Sequence, residues 1–150
     1  MYRKLATLLA TLALTLGGLI AAAPAQAATT TDVTITAGCD FKQRWTFYAT
    51  TYFNPGDCYQ TPAATLVMQD DGNFVLYDAR WNAVWASNTE GYDGAYAVFQ
   101  DDGNLVVYWY GWPLWASNTW GNPGSRLILR GGDGHLLIRN AAGTVIWEVP

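Results

Sequence analysis

The sequence has 150 residues, of which 51% are hydrophobic and 13% are charged, and its formal net charge at pH 7 is −4. This length allows a single domain with a packed core. An acidic chain without a cluster of Lys and Arg residues is a poor partner for nucleic acid or for an anionic membrane surface. With eight Trp and nine Tyr residues, the composition suits either an aromatic core or a surface that stacks on sugar rings.

The first 27 residues have the features of a secretory signal peptide. Arg3 and Lys4 form a positive start, residues 5–20 form an apolar run, and Ala25-Gln26-Ala27 has the small-residue pattern of a cleavage site. A membrane anchor is the alternative, but the apolar run is shorter than the roughly 20 residues that a spanning helix needs. We therefore predict a secreted, extracellular protein with no membrane insertion. Its mature domain would cover residues 28–150, and loss of two cations would take the formal charge from −4 to −6.

Two cysteines lie near the start of the predicted mature domain. Because the chain is expected to be exported, Cys39 and Cys58 are predicted to form a disulfide. Closing a loop of about 20 residues stabilises the fold by roughly 3 kcal/mol in the chain-entropy treatment. So few potential ligands, with His135 as the single histidine, predict no metal and no cofactor.

The remainder of the chain has the pattern of an all-β domain. Residues 33–36 alternate β-branched residues in an N-terminal extension of about residues 28–45. Aromatic residues are interleaved with polar ones from Phe41 to Tyr59, and Asn54-Pro55-Gly56-Asp57 is a turn sequence. No stretch of 11 residues has helical periodicity, so short strands separated by Gly, Asn, Asp and Pro are expected.

One nine-residue stretch occurs twice, 31 residues apart: Gln69-Asp70-Asp71-Gly72-Asn73-Phe74-Val75-Leu76-Tyr77 and Gln100-Asp101-Asp102-Gly103-Asn104-Leu105-Val106-Val107-Tyr108. Each copy is followed by a Trp-Ala-Ser-Asn-Thr pentapeptide that begins at Trp85 or Trp115. A third, eroded copy ends with Trp147. At the positions of Gln, Asp, Asn, Val and Tyr it has, in that order, Gly131, Asp133, His135, Leu137 and Arg139. A fixed period of this size indicates one repeated supersecondary unit, with units of about 46–90, 91–121 and 122–150.

Within each unit, apolar residues alternate with others at period two around an Asp-Gly turn. The inward set is apolar in all three units: Leu66, Met68, Phe74 and Leu76; Ala97, Phe99, Leu105 and Val107; Leu127, Leu129, Leu136 and Ile138. The outward polar set persists in two units only. We infer that the inward set forms the core and that the outward set has a role in binding.

The outward set suits a neutral sugar. Asp accepts hydrogen bonds, Asn and Gln both donate and accept, and Tyr does either, so together they can satisfy adjacent hydroxyls. An exposed valine would contact the C–H face of the ring. The set contains no strong nucleophile and no cation for a phosphate.

The repeated Gln-x-Asp-x-Asn-x-Val-x-Tyr signature with its Trp pentapeptide resembles the bulb-type mannose-binding lectins, over roughly residues 46–147. The resemblance implies a β-prism II fold, with three four-stranded antiparallel sheets around a pseudo-threefold axis and with Trp85, Trp115 and Trp147 packed at its centre. It implies a metal-free lectin that is not an enzyme, binds mannose or mannose-rich glycans, and can form homo-oligomers. In both intact units Gln69 and Gln100 would bind the 3-hydroxyl, and Tyr77 and Tyr108 the 4-hydroxyl. Asp71 and Asp102 would hold the 2-hydroxyl together with Asn73 and Asn104, while Val75 and Val106 would touch the ring.

The sequence departs from the family pattern in two places. In the third unit Asp133 alone matches, so we expect that unit not to bind mannose. The chain stops three residues after Trp147, which disfavours exchange of a C-terminal strand between subunits. The strand predicted at residues 33–36 is a candidate to cover the sheet edge left open.

Three other interpretations compete with the sugar sites. Asp-Asp-Gly-Asn suits a tight turn without any ligand, although that does not explain Gln and Tyr at matching offsets. A glycosidase needs two carboxyl groups about 5–10 Å apart across a cleft, which adjacent turn residues such as Asp70 and Asp71 do not provide. The remaining alternative is a secreted inhibitor or antagonistic toxin that binds protein through the same scaffold. The turn around Trp109, Tyr110 and Trp112 is either a stacking surface for a longer glycan or ordinary loop packing.

Overall fold

The computed structural model describes residues 38–150. The signal peptide predicted over residues 1–27 and the strand predicted at residues 33–36 lie outside the described residues. The described part contains thirteen strands and no helix. In chain order they are β1 Asp40–Phe41, β2 Trp45–Phe47, β3 Thr51–Phe53, β4 Cys58–Gln60, β5 Ala64–Met68, β6 Phe74–Asp78, β7 Ala83–Ala86, β8 Tyr96–Phe99, β9 Leu105–Trp109, β10 Trp112–Ala116, β11 Arg126–Leu129, β12 Leu136–Arg139 and β13 Val145–Val149.

The strands form three sheets, each built on one sequence repeat. The strands β5–β6–β7, β8–β9–β10 and β11–β12–β13 are antiparallel meanders, because each Asp-Gly turn returns the chain directly beside the preceding strand. A fourth strand from the N-terminal segment completes each sheet: β4 pairs with β5, β3 with β8, and β2 with β11. The segment before residue 61 therefore contributes to all three sheets, which ties the repeats together.

The predicted all-β architecture of three sheets is confirmed, with one difference in strand number. The first sheet has five strands, since β1 adds to β4 in parallel, with Asp40 opposite Tyr59 and Phe41 opposite Gln60. The predicted disulfide is also confirmed: Cys39 and Cys58 are bonded, with their Cα atoms 4.9 Å apart. Because Cys39 precedes β1 and Cys58 begins β4, the covalent link holds the short extra strand at the sheet edge.

The inner faces of the sheets share one hydrophobic core. Its fully buried members include Leu66, Phe74, Phe99, Leu127 and Ile138. Aromatic residues of the N-terminal strands fill the space between sheets, since Phe47 packs on Phe53 at 5.0 Å and Phe53 on Phe74 at 5.2 Å between ring centroids. Tyr59 belongs to this aromatic cluster, and its burial, together with the carboxylates of Asp57 and Asp40, raises the pKa of its phenol.

Three tryptophans, one from the last strand of each repeat, contact one another. The ring centroids of Trp85 and Trp115 are 5.1 Å apart, those of Trp85 and Trp147 5.6 Å, and those of Trp115 and Trp147 5.8 Å. In each repeat the pairing of the last two strands shifts register just before this tryptophan. A bulge re-aims the residues beside it, and its recurrence gives the three indoles equivalent positions.

Candidate functional site

The outward face of each sheet carries three rows of paired side chains between the first two strands of the repeat. In the first sheet Thr65 pairs with Tyr77 and Val67 with Val75, and the backbone N–H of Gln69 donates to the carbonyl of Asn73 at 2.9 Å. The second sheet repeats these rows with Tyr96 and Tyr108, Val98 and Val106, and Gln100 and Asn104. Period-two alternation thus places the predicted Gln, Asn, Val and Tyr of each unit on one surface.

In both of these sheets the amide of the glutamine and the phenol of the tyrosine meet. Nε2 of Gln69 donates to Oη of Tyr77 at 3.0 Å, and Nε2 of Gln100 donates to Oη of Tyr108 at 3.1 Å. The bond leaves the glutamine Oε1 as an acceptor and the phenolic hydrogen as a donor. The glutamine amide and the tyrosine hydroxyl can each donate and accept hydrogen bonds, and they lie side by side at the same position in both sheets.

The asparagine of each unit is oriented by the serine and threonine of its pentapeptide. Oδ1 of Asn73 accepts from Oγ of Ser87 at 3.1 Å and from the backbone N–H of Thr89 at 3.3 Å. Asn104 has the same two bonds, at 3.1 Å each, with Ser117 and Thr119. Within residues 38–150 no bond occupies the Nδ2 atoms, so each amide presents its donor side outward.

These serines also bond to the backbone of the core strands. Oγ of Ser87 accepts from the N–H of Phe74 at 2.9 Å, and Oγ of Ser117 accepts from the N–H of Leu105 at 3.0 Å. Each serine lies 2.7 Å from its threonine hydroxyl, which contacts the carbonyl oxygen of the turn glycine. Backbone bonding by Ser87 and Ser117, which the sequence predicts, is confirmed. The pentapeptide also holds the asparagine through a network that begins at the core, and the sequence did not predict this second role.

The aspartate that precedes each turn glycine has one oxygen engaged and one open. Oδ1 of Asp71 accepts from the N–H of Asn73, and Oδ1 of Asp102 from the N–H of Asn104, at 2.9 Å each. This is the local bonding expected of a turn aspartate. Both side chains are exposed, and within residues 38–150 no hydrogen bond occupies their Oδ2 atoms. Turn formation and ligand binding are compatible in the same residue.

The expectation of an exposed valine is wrong. Val75 is 2% exposed and Val106 is 3% exposed. Each valine lies in the middle row, between the glutamine and the tyrosine that are hydrogen-bonded to each other, and those larger side chains limit access to it. The valines supply at most a small apolar patch.

A cleft lies on each of these two sheets, and the two clefts differ in their walls. The first, of about 400 Å³, contains Gln69 and Tyr77 and is bordered by the disulfide and by Trp81. The second, of about 500 Å³, contains Gln100, Asp102 and Tyr108 and is bordered by Thr50, Tyr52, Tyr96 and Asp101. Sequence reasoning did not identify these flanking residues, because they come from other strands and loops. Trp109, Tyr110 and Trp112 border neither cleft.

The third sheet differs from the other two at its hairpin, which has one additional residue. The N–H of Arg130 donates to the carbonyl of His135 at 2.9 Å, so Arg130 occupies the position of Gln69 and Gln100. The sequence comparison that assigned this position to Gly131 is therefore wrong. A Cβ atom on Gly131 would lie 1.7 Å from the carbonyl oxygen of Gln43, which leaves no room there for any larger residue.

Ion pairs occupy this third hairpin. Nη2 of Arg130 lies 2.8 Å from Asp133 and 2.6 Å from Glu148, and Nδ1 of His135 lies 2.9 Å from the same glutamate. Desolvation acts to raise the pKa of Asp133, but the N–H of His135 and the charges of Arg130 and His135 together hold that pKa below its usual value. The third unit therefore lacks the outward donor and acceptor set of the other two.

Within residues 38–150, no group of three or more His, Cys, Asp and Glu side chains could hold a metal ion. In the same range, no helix has the length and apolar character needed to cross a membrane.

The fold has counterparts among solved structures. A monomeric monocot mannose-binding lectin from Gastrodia elata is 31% identical, with a match that covers 71% of this chain and 96% of that one and a TM-score of 0.60. A lectin from Allium sativum is 36% identical, and the match covers 71% of this chain and 98% of that one with a TM-score of 0.55. The mannose-specific agglutinin of snowdrop bulbs (Galanthus nivalis), complexed with methyl-α-D-mannoside, is 34% identical. The match covers 71% of this chain and 94% of that one, with a TM-score of 0.57. No protein-family model and no curated protein sequence matches the chain.

Proposed function

Because the chain belongs to the bulb-type mannose-binding lectin family of monocots, we propose that it binds mannose-type glycans at the clefts of its first two sheets. As a lectin it binds carbohydrate and is not an enzyme. The observation that carries the proposal is the same hydrogen-bonded set on both sheets: a Gln–Tyr pair beside an Asn whose amide orientation is set by Ser and Thr.

The geometry suggests how each hydroxyl would be bound. The asparagine Nδ2 donates and the neighbouring aspartate Oδ2 accepts, so one hydroxyl, the 2-hydroxyl, can accept from the first and donate to the second. Gln69 and Tyr77 bond one another at 3.0 Å, a separation that suits two adjacent hydroxyls, the 3- and 4-hydroxyls. The equatorial 2-hydroxyl of glucose would miss the Asp–Asn pair. Leaving these polar groups unpaired costs about 1–3 kcal/mol, which would favour mannose.

The third unit would not take part in this binding. Its hairpin has Arg130 and His135 in place of the Gln and Asn, and their side chains are engaged with Asp133 and Glu148. Each chain would therefore have two mannose sites. A shallow surface cleft binds one sugar at about millimolar affinity, and two sites on one chain raise avidity for a clustered glycan by about 10²–10⁴ where their spacing permits.

Export from the cell is part of the proposal. It rests on the leader-like sequence of residues 1–27 and on the Cys39–Cys58 disulfide, which is typical of an oxidising compartment. An extracellular lectin would meet mannose-rich polymers on cell surfaces, and recognition or agglutination would follow from its two sites.

Retention on a mannose column tests the function. The protein should bind and elute with free mannose, whereas the double variant Asn73→Ala, Asn104→Ala should pass through, since it loses the outward amide donor on both sheets. His135→Ala changes the corresponding position of the third unit and should leave retention intact. Retention of the double variant equal to that of the parent protein would exclude the outward sets that contain these asparagines as the sites.

The positioning role of the serine gives a second test. In an Asn73→Ala background, where one site remains, Ser117→Ala should weaken mannose binding by roughly tenfold, because Asn104 loses one of the two bonds that orient it. The matched control is Ser87→Ala in the same background, which removes an equivalent bond from the inactive site and should leave the dissociation constant unchanged. Equal effects of both serine changes on calorimetric affinity would contradict the positioning role.

A further inference from the structure

The positive charges of the described chain are concentrated on the third sheet. Residues 38–150 contain six Lys and Arg residues, and three of them, Arg126, Arg130 and Arg139, lie on or directly beside the strands β11 and β12. The acidic residues lie mostly elsewhere. The third sheet is thus the site of a cationic patch on an acidic protein.

The arginines project from the outward face, at the positions that form the sugar clefts of the other sheets. Leu127 and Ile138 point inward and are fully buried, so their neighbours Arg126 and Arg139 point outward, and both are exposed. Arg126 is the direct cross-strand partner of Arg139. This pair occupies the row that holds Tyr96 and Tyr108 in the second sheet.

The middle row of the third sheet is apolar, as in the first two. Ile128 pairs with Leu137, where the other sheets have pairs of valines. Leu137 is fully buried and Ile128 is partly exposed, so the face has a small apolar patch at Ile128 with a cationic pair at one end. A sugar ring with one charged substituent has matching features, since its C–H face is apolar and the substituent lies at its edge.

The two ends of this face differ in how their charge is balanced. At one end Arg130 is neutralised by Asp133 and Glu148. At the other end Arg126 and Arg139 have no carboxylate within ion-pair distance among residues 38–150, and Arg126 lies 5.8 Å from the centroid of the Tyr48 ring. Like charges directly opposite on a sheet repel, so an anion bound between the two guanidinium groups would relieve the repulsion and form charge-assisted bonds with both.

We propose that the third sheet binds an anionic sugar unit, with its carboxylate or sulfate group held between Arg126 and Arg139 and its ring against Ile128. A single charged group fits better than an extended polyanion, because the rest of the surface is acidic and would repel a long chain of negative charges. The inference uses the lectin fold but is independent of the two mannose sites. It gives the third unit a ligand of its own.

The test is titration of the full chain with glucuronic acid and with galactose 6-sulfate, each compared with its neutral parent sugar, and followed by calorimetry and chemical-shift changes. Both charged sugars should bind at least about tenfold more tightly than the neutral ones, and the difference should shrink as salt rises toward about 0.5 M. Equal affinity for charged and neutral sugars would overturn the proposal. Inorganic sulfate that binds as tightly as galactose 6-sulfate would overturn the assignment to a sugar.

Variants locate the site. Arg126→Gln with Arg139→Gln should lose roughly tenfold or more of the affinity for the charged sugars. Arg80→Gln, which changes an exposed arginine in the turn between β6 and β7, should lose none. Asn73→Ala with Asn104→Ala should leave this binding intact, so failure of the mannose proposal and failure of this one are distinguishable. The thermal midpoint verifies folding, and Arg139→Gln alone, with a smaller loss, serves if the double variant does not fold. An equal loss in Arg80→Gln would place the anion elsewhere.

Discussion

Alanine at Gly72 should lower the free energy of unfolding by about 4 kcal/mol or more, an exceptionally large effect for a single methyl group. Gly72 has φ +90°, and a Cβ atom there would lie 2.3 Å from the carbonyl oxygen and 2.8 Å from the carbonyl carbon of Tyr92. Backbone atoms cannot rotate out of the way as a side chain can, so the turn and the loop that covers it must separate. Urea unfolding measured by tryptophan fluorescence gives the change directly.

Gly91 supplies the matched control. Its φ of +88° is nearly the same, but a Cβ atom there would meet nothing within 4 Å. Gly91→Ala should therefore lower the free energy of unfolding by only about 1–2 kcal/mol, which is the cost of a left-handed backbone conformation in a non-glycine residue. The difference between the two variants isolates the steric contact. Similar midpoints for both would show that the loop at Tyr92 is free to move away from the turn, contrary to the close approach described.

Trp115→Ala should lower the free energy of unfolding by about 3 kcal/mol, which is the second large effect that we predict. Its ring contacts both Trp85 and Trp147, so the change opens a cavity where the three repeats meet, and Trp-to-Ala changes in cores cost about 3–5 kcal/mol. The lower end applies because Trp115 is only partly buried. Because all three sheets border the cavity, unfolding should remain a single transition shifted to lower denaturant concentration.

Trp112 is the control for this prediction, since it lies on the same strand three residues earlier and is 73% exposed. Trp112→Ala removes the same chemical group from the surface and should change the stability by no more than about 0.5 kcal/mol. A loss at Trp112 that matches the loss at Trp115 would mean that the packing at the centre contributes little. In that case the fold would depend on the sheets alone.

The two proposed mannose sites and the outward face of the third sheet differ chemically, although they share one scaffold. The first two sheets share a hydrogen-bonding set but differ in their walls, since a disulfide and Trp81 border one cleft and tyrosines border the other. We therefore expect the two sites to prefer different neighbours of the bound sugar within a longer glycan. The third sheet keeps the strand pairing, has one additional residue in its hairpin, and replaces neutral partners with charged ones.

The sequence was sufficient for the features that depend on local periodicity. Alternation at period two and the Asp-Gly turns are properties of adjacent residues, so the repeats, the antiparallel meanders and the inward sets could be predicted from them. The surface shared by Gln69, Asn73 and Tyr77 follows from the same alternation. The disulfide could be predicted from the presence of only two cysteines in a chain that was expected to be exported.

Contacts between distant segments were decided by the tertiary structure alone. The strands before residue 61 complete all three sheets through pairings that no local pattern encodes. The orientation of Asn73 depends on Ser87 and Thr89, the valines are covered by larger neighbours, and the additional hairpin residue makes Arg130, not Gly131, the partner of His135. Periodicity determines the face on which a side chain lies, whereas its partners and its exposure depend on what the fold packs against that face.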